Sequence, residues 1–123
     1  MKLLLLIGGL VMGIQAQAAV WKGHAVLVVK PERVSAFKVA VNKIIAPTRQ
    51  EAGCISYEGF QVVDENGQAT NRFEFHEVWA SKEAMLIDHK ENAPHMQVFF
   101  KEIEGFLESF EVGGTYVLTD FNR

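Results

Sequence analysis

The hydrophobic period of this chain switches repeatedly between strand-like and helix-like, and that alternation restricts its fold more than any single motif. From Trp21 to Val29, Trp21, Gly23, Ala25, Leu27 and Val29 fall on one side and His24, Val26 and Val28 on the other, the period of a strand, which Pro31 closes. From Glu32 the spacing turns helical, with Val34, Phe37, Val41, Ile44 and Ile45 on one stripe. Pro47 is expected to interrupt or kink that helix, and Gly53 to end its second piece. Cys54 to Val63 reads as a second strand, and the turn signal Asp64-Glu65-Asn66-Gly67 leads to a third from Arg72 to Trp79. Ser81, with Glu83 in the first turn, favours a helix start. Pro94 suits the first turn of a further helical piece, with Met96, Phe99, Phe100, Ile103 and Phe106 or Leu107 as its apolar stripe. The last extended segment, Phe110 to Phe121, is expected to break or bulge at Gly113-Gly114. The order β-α-β-β-α-β predicts an α+β, ferredoxin-like antiparallel sheet with helices on one face.

Such a sheet leaves a second face to cover. The first strand carries Leu27 and Val29 on one side and Val26 and Val28 on the other, so neither face suits water and a homodimer pairing two sheets is expected. At 123 residues the chain is one compact domain. A formal net charge of −3 provides no basic footprint, so no nucleic-acid partner is expected. Residues 1–18 read as a cleaved signal peptide: Met1-Lys2 is the basic start, Leu3 to Ile14 the apolar stretch and Ala16-Gln17-Ala18 the cleavage site. The apolar stretch is shorter than the roughly 20 residues of a membrane-spanning helix. The expectation is therefore an exported protein, periplasmic or secreted, with residues 19–123 as the domain and no stable membrane insertion after cleavage.

Several chemistries lack their residues. The single Cys54 cannot form an internal bridge and reads as a small hydrophobe at a strand start. Neither a G-x-S-x-G elbow nor a phosphate loop nor a dinucleotide fingerprint occurs, so no nucleotide cofactor is expected. No H-E-x-x-H occurs either, and His89 and His95, six apart, do not share one helix face, so no metal site is expected.

Two segments carry a family resemblance. The run F-E-F-H-E-V-W-A-S-K-E-A-M-L-I-D-H from Phe73 to His89 leads into N-A-P-H-M, and Arg49-Gln50-Glu51-Ala52-Gly53-Cys54-Ile55-Ser56-Tyr57 matches an R-x-E-x-G-C-x-x-Y pattern. Both resemble the antibiotic biosynthesis monooxygenase family, and the likeness extends over nearly all of residues 19–123. The resemblance implies a dimeric α+β barrel. It also implies one of several activities: cofactor-free oxygenation of polycyclic phenols or quinols, haem degradation, or isomerisation of a phosphorylated autoinducer. Trp79 matches the aromatic strand-end position, with Glu77 two residues before on the same face. His89 resembles the helix histidine of the haem-degrading branch, but that branch has an asparagine near the position of His24. The expected export speaks against the autoinducer branch.

Oxidising a phenol or quinol with dioxygen alone requires the substrate anion, which gives up an electron far more readily than the neutral form. A neutral histidine in an apolar pocket suits that proton transfer. His89 is the first candidate base and His24 the second; Trp79, Phe75 and Tyr57 offer walls for an aromatic ring, and His95 is a further candidate contact. Each has a plainer alternative: Trp79 as core filler, His89 as an exposed helix residue, His95 as a helix-start residue, His24 and His76 as surface or interface positions. Two functions follow from the sequence. One is a cofactor-independent monooxygenase acting on a small aromatic, quinol-like or polyphenol-like substrate with dioxygen; the other is a non-catalytic dimeric pocket protein holding a small aromatic or lipophilic ligand, with haem a third option.

Overall fold

The computed structural model describes residues 19–118; the expected signal peptide, and Phe121 at the end of the last expected strand, lie outside them. Strand β1 (Val20–Val29) is followed by a short 3-10 turn, Pro31–Arg33, and helix α1 (Val34–Arg49). Strands β2 (Cys54–Val63) and β3 (Ala69–Trp79) come next, then a π-helix, Ala84–His89, helix α2 (Pro94–Glu102) and strand β4 (Leu107–Val117). All pairings are antiparallel in the order β2-β3-β1-β4. This is the ferredoxin-like sheet expected from the alternating periods.

Period-two alternation decides which side chains reach the helices. Trp21, Ala25, Leu27 and Val29 of β1 and Phe73, Phe75, Glu77 and Trp79 of β3 are buried on the helix side, and their neighbours turn away. Phe37, Ala40, Ile44 and Thr48 of α1 and Met96 and Phe99 of α2 form the opposing buried stripes. Phe37 is fully buried between Phe73 and Phe99, at 4.8 and 6.1 Å between ring centres. Among the described residues no helix is long and apolar enough to cross a membrane.

Four local expectations are corrected. Helix α2 ends at Glu102, so Leu107 opens β4 rather than closing the helix stripe, and β4 begins before the expected Phe110. Pro47 neither ends nor divides α1, which runs on to Arg49. Proline costs a helix one N–H donor and crowds the preceding turn, and here that loss falls in the final turn, where little helix remains to disrupt. The stretch after Ser81 winds as a π-helix rather than an α-helix. Its i→i−5 bonds include Lys90 N–H to the Met85 carbonyl at 3.0 Å, while Ser81 Oγ still accepts from Ala84 N–H at 3.1 Å. Finally, β4 passes straight through Gly113 and Gly114, which stand in register with His24 and Gly23; the irregularity lies at Val28/Val29. These glycines make room rather than a bulge: a Cβ on Gly113 would stand 2.6 Å from the His24 ring, and one on Gly114 2.5 Å from the Trp21 indole.

Candidate functional site

The buried face of β3 follows an apolar alternation with one exception, Glu77. Glu77 and its cross-strand partner Tyr57 of β2 lie under the π-helix, facing a cleft whose other walls include Phe75, Met85, His89, Met96 and Phe100. The interior of the cleft measures about 40 Å³, and the whole of it, mouth included, about 430 Å³. A ring system would need side chains to shift in order to enter, and the unbranched Met85 and Met96 shift readily. The mouth opens beside the edge strand β4 at Phe110 and Val112, with the Lys90 ammonium 5.7 Å from the Phe110 ring centre.

Burial sets the charges of the cleft. The Glu77 carboxyl is pushed up to about 7 by desolvation, a rise that the Trp79 indole N–H, donating to Oε1 at 2.9 Å, partly offsets. Desolvation pushes His89 down to about 4, so its imidazole is neutral at physiological pH. Burial holds the Tyr57 phenol protonated. Two proton acceptors and one donor thus line a largely apolar space.

Behind the cleft, His89 Nδ1 lies 2.6 Å from Glu51 Oε2. An ionised carboxylate only accepts, so the proton of the neutral ring sits on Nδ1 and Nε2 keeps its lone pair. The same Oε2 lies 3.1 Å from His95 Nε2, which is also 3.0 Å from the Thr48 hydroxyl at the end of α1. Arg49 Nε, one residue further along α1, donates to the Tyr57 carbonyl at 3.0 Å. The R-x-E spacing at the close of α1 therefore anchors both the strand bearing Tyr57 and the ring of His89.

His89, Tyr57 and Phe75 of the sequence candidates line the cleft. Trp79 does not: it is fully buried behind them, 4.8 Å from the His89 ring centre, and serves the cleft through its bond to Glu77. His95 lies beyond His89, lining a separate surface opening with Glu51, Asp88 and Pro94. His24 is exposed on the sheet's other face, near Lys22, Glu74 and His76, so His24 and His89 serve no common site within one chain. His89 and His95 share no helix face, yet they meet. His89 ends the π-helix and His95 begins α2, and the turn between them brings the two rings to 6.1 Å. Sequence reasoning gave Glu51 and Glu77 no role. The available signal for Glu77 was a carboxylate on an apolar strand face; for Glu51, whose partner is 38 positions away, there was only the motif.

Comparison with known proteins yields a family match and a set of structural neighbours. The model of the family described as antibiotic biosynthesis monooxygenase matches residues 24–102. Protein PA3566 of Pseudomonas aeruginosa is similar at 24% identity and a TM-score of 0.70, over 84% of this chain and 98% of its own. A conserved protein of Methanosarcina mazei Go1 is similar at 25% identity and a TM-score of 0.68, over 84% and 96%. A Nitrosomonas europaea protein described as a candidate antibiotic biosynthesis monooxygenase shares the fold at 18% identity and a TM-score of 0.64, over 79% and 95%. A search of the curated proteins returns no match.

Proposed function

The chain belongs to the antibiotic biosynthesis monooxygenase family, and from that premise we propose that it oxidises a small quinol-like aromatic with dioxygen and without a cofactor. The monooxygenase type comes with the family; the substrate class and the residue roles are the proposal. The observation that carries it is the cleft itself, where Glu77 and His89 present lone pairs and Tyr57 a hydroxyl among aromatic and methionine walls.

Glu77 takes the proton from a quinol hydroxyl. A base works best when its pKa lies near the operating pH, and the carboxyl held at about 7 meets that condition better than the imidazole held at about 4. His89 Nε2 accepts from the substrate's second hydroxyl, its ring orientation fixed by Glu51 at Nδ1. The Tyr57 hydroxyl and, at the mouth, the Lys90 ammonium favour the resulting anion. Dioxygen then takes four electrons from the ring: one oxygen atom bonds to a ring carbon in place of hydrogen, the other leaves as water, and a hydroxyquinone results. Quinol plus dioxygen equals hydroxyquinone plus water, so no external reductant enters. No haem step is part of this reading.

Two further elements belong to this proposal. A second copy covers the helix-free sheet face, a reading supported by exposed Phe60 and half-buried Val26, Val28 and Val78 there. Export rests on residues 1–18 alone. The test of function is oxygen uptake by metal-free protein with a panel of hydroquinones and polycyclic phenols. One dioxygen consumed per quinol, above the autoxidation rate and lost in Glu77→Gln, is the expected result. Calorimetric binding of the same compounds without uptake would replace the enzyme with a binding protein.

A further inference from the structure

Glu51, His89 and His95 place one carboxylate oxygen and two imidazole nitrogens within 4.8 Å of one another, at the end of the surface opening that His95 lines. We propose that this triad binds one divalent transition cation, with zinc as the probe. Two imidazoles and one carboxylate are the donor set that suits borderline cations of this kind, whereas calcium and magnesium favour oxygen donors.

The geometry is close to what such an ion needs. Bonds of about 2.0–2.2 Å from a four-coordinate centre separate ligand atoms by roughly 3.0–3.5 Å. Glu51 Oε2 already lies 2.6 Å from His89 Nδ1 and 3.1 Å from His95 Nε2, so an ion enters if the first contact opens by less than an ångström and the two nitrogens draw together. Each ligand comes from a different element: the residues just after α1, the last turn of the π-helix and the first turn of α2. The opening offers about 320 Å³ of free space and is lined by a second carboxylate, Asp88, so a hydrated cation has both a path and a favourable charge at the entrance. Thr48, fully buried, holds its hydroxyl 3.0 Å from the same His95 Nε2, so the ion takes the place of that hydrogen bond.

Occupancy would be felt across the His89 ring. Coordination at Nδ1 displaces its proton, and the neutral ring then carries hydrogen on Nε2, facing the cleft as a donor instead of an acceptor. Binding of the ion follows from the triad alone; its effect on turnover rests on the reading given under Proposed function.

The test titrates metal-free protein with Zn²⁺ by calorimetry and with Co²⁺ by visible absorption, without any aromatic substrate, so failure here leaves the oxygenase reading untouched. One ion per chain, bound more tightly than about 1 μM, with Co²⁺ bands of a four- or five-coordinate nitrogen and oxygen site, is expected. His95→Asn and Glu51→Gln, each checked for native circular dichroism, should each weaken binding at least about 10-fold, while His76→Ala on the other sheet face should leave it unchanged. Millimolar Mg²⁺ should not compete. No stoichiometric binding, or binding that survives His95→Asn and Glu51→Gln, whatever His76→Ala does, overturns the proposal.

Discussion

The two faces of the sheet carry histidines in opposite circumstances. On the helix side His89 is 4% exposed, backed by Glu51 and packed against Tyr57 and Trp79; on the other side His24 and His76 are exposed in the single chain, beside Glu74. Residue type is the same, and the chemistry available is not. Desolvation on the helix side holds one imidazole neutral and keeps a carboxyl protonated up to about neutrality, whereas half-buried Glu74 on the other side is pulled down by its Arg72 and His76 neighbours. The difference teaches that on this scaffold the layer of helices, not the list of titratable residues, turns a side chain into a reagent.

The contrast breaks most readily at Glu77. Glu77→Gln keeps the shape and removes the proton acceptor, and should lower the rate about 100-fold or more, while leaving ligand affinity by calorimetry within a fewfold. If Glu77 is the base, the rate of the parent protein rises with pH through about 7 and then levels; a profile flat from pH 5 to 9 would remove Glu77 from that role.

Next in size is the cost of the two faces to stability. Leu27→Ala on the helix side, where the residue is 2% exposed, should lose about 2–5 kcal/mol in urea unfolding. Val28→Ala, its neighbour on the other side, should lose less than half as much and instead weaken self-association in sedimentation. Equal losses would erase the asymmetry.

Glu77 also ties stability to pH. Its folded value of about 7 lies above the ordinary 4.5, so the folded state binds the extra proton: the stabilisation is complete below about 4.5 and is lost as pH rises to about 7 and beyond. Relative to the parent, Glu77→Gln should therefore gain up to about 3 kcal/mol between pH 4 and 8, measured as a difference of unfolding curves. A difference independent of pH would mean that the carboxyl is not desolvated.

The smallest effects lie under the glycines of β4. Gly114→Ala presses on the packed Trp21 indole and should cost about 1–3 kcal/mol. Within the single chain Gly113→Ala meets only the exposed His24 ring, which swings aside, so a change of about 0.5 kcal/mol or less in the unfolding of the dissociated chain is expected.

The sequence by itself determined the order of elements, because strand and helix periods are local and survive without knowledge of partners. Strands β1, β2 and β3 follow from spacing, as do Phe37 and Ile44 of the buried stripe of α1, whereas Val34, Val41 and Ile45 are only half-buried beside it. It also marked His89, Tyr57 and Phe75 as neighbours of one pocket. Tertiary structure alone decided the rest. The π-winding of Ala84–His89 aims His89 at both the cleft and Glu51, and no local pattern in that stretch distinguishes it from an ordinary helix. The meeting of Glu51, His89 and His95 joins three elements across 44 positions, a proximity set by packing. The same holds for the roles of His24 and Trp79, which were legible as residue types and decided by burial: one faces solvent, the other disappears behind the cleft it was expected to line. Local chemistry writes the elements; desolvation, which exists only once they pack, determines which of their side chains hold or release a proton near neutrality.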